Sequence, residues 1–221
     1  MKNLAQYIDH TLLSSAARGA DIEKLCLEAK TEGFYAVCVQ PVQVECAVNA
    51  LNDSDVKVAA VVGFPHGATF TEVKVLEAQK CISLGAEEID MVINIGALKE
   101  GNLEAVKEDI RQVSEVCEGR AVLKVIIETG LLTRDEKITA CELAAEAGAD
   151  YVKTSTGVLK ESKPATVDDV KLMYETVKDF GLKVKASGGI KDEAFATALI
   201  EAGASRIGTS SGVDIIRSCK E

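Results

Sequence analysis

Eight short apolar runs, separated by amphipathic stretches, constrain this chain more than any other feature of its sequence. The runs cover residues 7–11, 35–40, 57–62, 88–94, 121–127, 151–155, 183–187 and 206–209. They are rich in valine and isoleucine and mostly lack polar/apolar alternation, the pattern of strands covered on both faces. Between them, Ile22, Leu25, Cys26 and Ala29 recur at helical spacing over 21–31, and Leu103, Val106, Ile110, Val113 and Val116 do so over 103–117. The stretches 71–84, 134–147, 166–180, 192–201 and 211–218 read the same way. Thr133 and Glu136 form a capping-box signature that opens one of these helices. Glycine closes several, at positions 33, 85, 119, 148, 181 and 203, where a left-handed C-cap is expected.

Units of this kind give parallel strands joined by right-handed crossovers. Eight of them in 221 residues predict an α/β protein, a (β/α)8 TIM barrel forming a single domain over 1–221. An open doubly wound sheet would carry a G-x-G-x-x-G fingerprint after its first strand, and none is present.

Several function classes fall away on composition. The net charge is −10 with no basic cluster, which speaks against nucleic-acid or anionic-membrane partners. No apolar run approaches the roughly 20 residues a bilayer requires. The first residues lack a signal-like apolar segment, so the expected location is the cytoplasm. Seven cysteines are scattered without a C-x-x-C pair, and the two histidines, His10 and His66, lie far apart. That pattern fits small buried hydrophobes in a reducing compartment and implies no metal site and no cofactor.

Charges inside strands that should be apolar are the informative anomaly, because barrel active sites sit at the C-terminal ends of strands. Asp9, Asp90, Lys124, Lys153 and Lys185 each interrupt such a run. One reading is an inert salt-bridge network filling the barrel, but three ammonium groups facing two carboxylates balance poorly. The other is chemical. Buried cations in proximity favour loss of a proton, and a neutral amine forms a Schiff base with a carbonyl. The protonated imine is then an electron sink for making or breaking the adjacent C–C bond. A carboxylate and a second lysine can move the protons this needs. Ser187-Gly188-Gly189 and Gly208-Thr209-Ser210-Ser211-Gly212 follow the seventh and eighth runs, where barrels commonly bind phosphate. The residues alone therefore point to a Schiff-base lyase or aldolase acting on a phosphorylated carbonyl compound.

Over nearly its whole length the chain also resembles the deoxyribose-phosphate aldolases, class I aldolases on a (β/α)8 barrel. The resemblance rests on Asp9-His10-Thr11-Leu12, Ala36-Val37-Cys38-Val39-Gln40-Pro41, Gly63-Phe64-Pro65-His66-Gly67, Glu88-Ile89-Asp90-Met91-Val92-Ile93-Asn94 and Leu123-Lys124-Val125-Ile126-Ile127-Glu128-Thr129. It continues through Val152-Lys153-Thr154-Ser155-Thr156-Gly157, Val184-Lys185-Ala186-Ser187-Gly188-Gly189-Ile190 and Gly208-Thr209-Ser210-Ser211. It implies reversible cleavage of 2-deoxy-D-ribose 5-phosphate to D-glyceraldehyde 3-phosphate and acetaldehyde, in deoxyribonucleoside catabolism. By position it implies Lys153 as the Schiff-base lysine, with Lys185 easing its deprotonation and assisting proton transfer. Asp90 would be the carboxylate that moves protons through water. Asp9, Thr11, Cys38, Lys124 and Thr156 would line the substrate pocket. Gly157, Gly188, Gly189, Gly208, Ser210 and Ser211 would bind phosphate. Family precedent further implies a homodimer or other small homo-oligomer.

Three departures stand out. Val158–Pro164 replaces the glycine-rich or lysine-bearing stretch that often follows Ser-Thr-Gly, leaving Lys160 and Lys163 as candidates to supply its charge. The chain ends at Cys219-Lys220-Glu221 without the tyrosine-bearing tail of some members. The segment 14–20 lacks the family's common proline-containing form. Two rivals remain: a catalytically silent sugar-phosphate binder, which would trap no covalent adduct, and an isomerase or epimerase, which would leave paired strand lysines without a role.

Overall fold

A strand covered on both faces still needs a hydrogen-bonding neighbour on each edge, and a parallel sheet of eight meets that need by closing. In the computed structural model, which describes residues 4–218, this is what occurs. Met1–Asn3 and Cys219–Glu221, including the cysteine and the tail noted above, lie outside the described residues. The strands are β1 (Ile8–Leu12), β2 (Ala36–Val39), β3 (Lys57–Val62), β4 (Glu88–Val92), β5 (Val122–Ile126), β6 (Tyr151–Lys153), β7 (Lys183–Ser187) and β8 (Ala204–Thr209). Each pairs in parallel with the next, and β8 returns to β1 through Ile8↔Ile207, Asp9↔Gly208 and His10↔Thr209.

The helices are α1 (Gly19–Glu32), α2 (Val44–Ala50), α3 (Thr71–Ser83), α4 (Ile95–Lys99), α5 (Leu103–Cys117), α6 (Arg134–Glu146), α7 (Val167–Val177), α8 (Glu193–Glu201) and α9 (Gly212–Ser218). Two of them, α2 and α4, have no counterpart in the sequence reading. In α2 the buried positions Val44 and Ala47, with Leu51 just beyond, keep helical spacing over too short a span to stand out. In α4 the side chain of Asn94, expected at the end of a strand, accepts a hydrogen bond from Ala97 N–H and starts a helix instead. Strand β6 is also shorter than the apolar run. Beyond Lys153 the Thr154 hydroxyl donates to Ser187 O (2.9 Å) and accepts from Ser187 N–H (2.9 Å), so a side chain replaces the backbone ladder.

The expected capping box at Thr133 and Glu136 is present, and all six helix-ending glycines have positive φ. Gly203 is the most constrained: at φ 116°, a Cβ there would stand 2.5 Å from the Tyr174 ring. The main core lies between the sheet and the helices, joining strand residues such as Val37, Val58, Ile89, Val125 and Ile207 to Ile22, Ile110 and Val170. A separate, much smaller apolar cluster of Cys38, Ala59 and Val61 lies inside the barrel, with Leu13 and Phe64 against it. Of the six described cysteines, five are buried and Cys46 is half-buried; all are free thiols. No helix among the described residues is long and apolar enough to cross a membrane.

Candidate active site

Strand register brings the charged positions together. Asp90 pairs with Lys124 across β4 and β5, and Lys153 pairs with Lys185 across β6 and β7. Since successive side chains of a strand point to opposite faces, positions two apart, Glu88/Asp90 and Arg206/Gly208, share the barrel interior. The interior holds seven charged side chains, all essentially buried: Asp9, Glu88, Asp90, Lys124, Lys153, Lys185 and Arg206.

Asp90 is the hub. Its Oδ2 accepts from both Lys153 Nζ and Lys185 Nζ at 2.7 Å, and its Oδ1 accepts from Lys124 Nζ at 2.9 Å. The two lysine nitrogens on Oδ2 are therefore no further apart than twice that 2.7 Å. Lys124 also donates to Glu88 Oε2 at 2.7 Å. Arg206 donates to both Glu88 oxygens, at 3.0 and 2.9 Å, and through Nε to Asp9 Oδ1 at 2.7 Å. Lys185 closes the circuit with an ion pair to Asp9. At the opposite, N-terminal end, the Arg206 guanidinium lies 3.7 Å over the Tyr35 ring.

The sequence reading set three lysines against two carboxylates. Arg206 and Glu88 correct that balance to four cations and three anions, and one cation remains in excess. Both missed residues stand near strand beginnings, where a charge ordinarily faces solvent.

The electrostatics follow from these contacts. Burial opposes ionisation of Asp9, yet Arg206, Lys185 and Lys124 outweigh it and bring its pKa down to about 2. Asp90 is held well below the carboxylate range, because Lys124, Lys153 and Lys185 together exceed the cost of its burial. Glu88 is lowered on the same balance, with burial opposed chiefly by Lys124 and Arg206. Burial would strip the proton from Lys185, but Asp9 and Asp90 overcome it and raise its pKa, so Lys185 is an ammonium at neutral pH. Lys124 is raised likewise, by Asp90 and Glu88 against burial. The Cys38 thiol, pushed up by burial, is neutral; its Sγ lies 3.9 Å from Asp90 Oδ2.

Above this charged layer, at the C-terminal ends of the strands, a cavity of about 310 Å³ opens to solvent. Thr11, Lys153, Thr156, Gly157, Gly188, Gly189, Gly208 and Ser210 line it. Asp9, Asp90, Lys124, Lys185 and Cys38 lie beneath its floor and do not line it. Ser211 is not among the lining residues either; its N–H donates to Thr209 Oγ1 at 2.9 Å. Nor do Lys160 and Lys163 reach the cavity. The cation on its rim is Lys191, which directly follows Ser187-Gly188-Gly189-Ile190 and was passed over in favour of the two loop lysines. Among the described residues, no group of three or more histidine, cysteine, aspartate or glutamate side chains could hold a metal ion.

The site is thus a closed parallel barrel with one lysine at its C-terminal mouth, seated on a buried carboxylate. A family model described as DeoC/LacD family aldolase matches residues 3–218, and the chain belongs to that family. It is 55% identical over 219 residues to a deoxyribose-phosphate aldolase of Alkaliphilus oremlandii, spanning 99% of this chain and 97% of that one. It is 57% identical over 221 residues to a deoxyribose-phosphate aldolase of Thermococcus gammatolerans, with 99% and 97% covered. Among solved structures, a putative deoxyribose-phosphate aldolase from Coccidioides immitis superposes with a TM-score of 0.96 at 43% identity, covering 99% of this chain and 86% of that one. A deoxyribose phosphate aldolase from Aeropyrum pernix, described as a unique tetramer, gives 0.91 at 36% identity, covering 99% and 91%.

Proposed function

We propose that the protein reversibly cleaves 2-deoxy-D-ribose 5-phosphate to D-glyceraldehyde 3-phosphate and acetaldehyde through a Schiff base on Lys153, in deoxyribonucleoside catabolism. One observation carries the assignment of the nucleophile: of the three strand lysines, only Lys153 lines the cavity. Lys124 and Lys185 are sealed below it, each held by two carboxylates, whereas Lys153 contacts Asp90 alone among acids. The choice of sugar rests on the names of the relatives. The choice of a phosphorylated substrate also has local support in Gly188, Gly189, Gly208, Ser210 and Lys191, gathered on one side of the mouth.

In this reading Lys153 gives up its proton and its amine adds to the C1 aldehyde of the open-chain sugar. Loss of water from the carbinolamine gives a protonated imine. The C3 hydroxyl then loses its proton, and the C2–C3 bond breaks with its electrons passing into the imine. The phosphorylated fragment leaves as an aldehyde. Protonation of the enamine at C2 and addition of water release acetaldehyde and restore Lys153. Asp90, bonded to both Lys153 and Lys185, is placed to pass protons between them and water, and the charged Lys185 is the local proton reservoir. Assembly into a small homo-oligomer in the cytoplasm is part of the same proposal, on the precedent of the relatives.

Borohydride reduction in the presence of substrate, followed by peptide mapping, tests it. The expected adduct is on Lys153, and Lys153→Leu should trap nothing and release no acetaldehyde. An adduct confined to Lys124 or Lys185 would falsify the assignment. Absence of any adduct would favour the silent binder.

A further inference from the structure

Glu128 plays no part in the chemistry above, yet it is the most unusual residue near the site. Among the described residues it is the one non-glycine with positive φ, at φ 59° and ψ 63°. Glycine or asparagine would take that left-handed conformation more easily. A glutamate held there points to a use for its side chain.

Its carboxylate is completely buried and both oxygens are engaged. Oε2 accepts from Thr156 N–H at 3.0 Å, and Oε1 accepts from Ser162 Oγ at 2.6 Å. One donor precedes the atypical segment that follows β6 and the other lies within it. On the same side the segment is packed tightly, since a Cβ on Gly130 would stand 2.3 Å from Lys163 N. At its far end Ala165 N–H donates to Gly188 O at 3.3 Å. The loop is thus strapped between the end of β5 and the end of β7. Its first residues, Gly157 and Val158, line the cavity beside Gly188 and Gly189. A Cβ on Gly157 would lie only 3.4 Å from Gly188 Cα, so the two glycines abut, and a shift of the loop would break the backbone surface they share.

We propose that Glu128 is a positioning residue for substrate phosphate: its buried carboxylate fixes the loop after β6 so that Gly157 abuts Gly188 and the two segments present one continuous backbone surface to a phosphate. This rests on the phosphorylated-substrate reading of the cavity. It also explains how a segment without the expected glycine-rich or lysine-bearing sequence keeps its place.

Glu128→Gly removes the carboxylate while relieving the backbone, so any loss belongs to the side chain. Glu128→Gln can keep both contacts, its carbonyl accepting from Thr156 N–H and its amide donating to Ser162 Oγ. Glu128→Gly is expected to raise KM for deoxyribose 5-phosphate about tenfold or more, the scale of losing hydrogen bonds to a buried charge. The change in kcat should stay within about threefold, and kcat/KM for unphosphorylated deoxyribose should change about twofold at most. Glu128→Gln should recover most of the lost affinity, and Ser162→Ala should show a smaller loss of the same kind. Equal losses on both substrates, or a glutamine variant as impaired as the glycine one, would overturn the proposal. Calorimetric titration with inorganic phosphate separates this from the reading it rests on. Should the wild type not cleave deoxyribose 5-phosphate, about tenfold weaker phosphate binding by Glu128→Gly still supports the positioning role. Unchanged phosphate binding, or none to the wild type, overturns it.

Discussion

The two faces of the barrel sheet are both buried, and they are built of opposite materials. Outward positions carry Val37, Val39, Val58, Ala60, Ile89, Met91, Val125 and Val152, packed on the helices. One step along the same strands, the inward positions carry Cys38, Ala59 and Val61 on one side and seven interlocked charges on the other. The outward face is what holds a barrel together, since apolar burial stabilises at about 25 cal/mol per Å². The inward face is a poor stability device, because desolvating seven ions consumes much of what their attraction returns. A folded chain needs the first. The second finds its use in the proposed chemistry, an amine and a carboxylate working out of water.

That contrast can be broken most sharply at Lys185. Lys185→Leu is expected to cost at least about a hundredfold in kcat/KM, the scale of a lost acid–base group. A near-normal rate would make Lys185 a structural charge. On the outward face, Ile110→Ala should do the converse. It should lower unfolding free energy in urea by about 2–5 kcal/mol, the usual loss for a filled core site, and leave the pH–rate profile of the folded enzyme in place. A displaced profile would show that the two faces are coupled.

Acid gives the gentlest separation. Asp9, with its pKa lowered to about 2, ionises more readily folded than unfolded, where a value of about 3.9 is usual. Asp90 and Glu88 are lowered too. Depressed carboxylates contribute stability that is complete above the unfolded pKa and is lost as pH falls toward the folded one. Thermal unfolding followed by circular dichroism should therefore show a falling Tm between about pH 4 and 2. Ile110→Ala should lower the curve without changing its slope there. A Tm independent of pH across that window would contradict the ionic interior.

The barrel was legible because eight buried strands leave a sequence few alternatives, and Asp9, Asp90, Lys124, Lys153 and Lys185 were legible because each directly follows an aliphatic residue inside an apolar run. Glu88 follows Glu87, and Arg206 follows Ser205 close after a helix-ending glycine, so both look like ordinary strand-edge charges until register turns them inward. The alternation missing from the apolar runs is in fact present, between large aliphatic groups outside and charged or small groups inside. Lys191 was hidden by the nearer loop lysines, although a cation immediately after Ser-Gly-Gly-Ile was signal enough. Glu128 could not be found from sequence at all, since glutamate carries no local signature of a left-handed backbone. Nor could Lys74, a helix lysine completely buried between Asp109 (2.5 Å) and Val92 O (2.9 Å), where a solvated face would be the default reading.

The guanidinium of Arg206, lying on the Tyr35 ring and locked to Glu88 and Asp9, has a consequence for traffic. It stoppers the barrel at the N-terminal end, which makes the cavity a blind well with one door. Everything that reaches Lys153 must come in through the C-terminal mouth and go out the same way. For the proposed substrate, bound by its phosphate at the door and tethered by its carbonyl at the bottom, departure becomes a queue. The fragment nearer the door must clear it before the tethered one can follow.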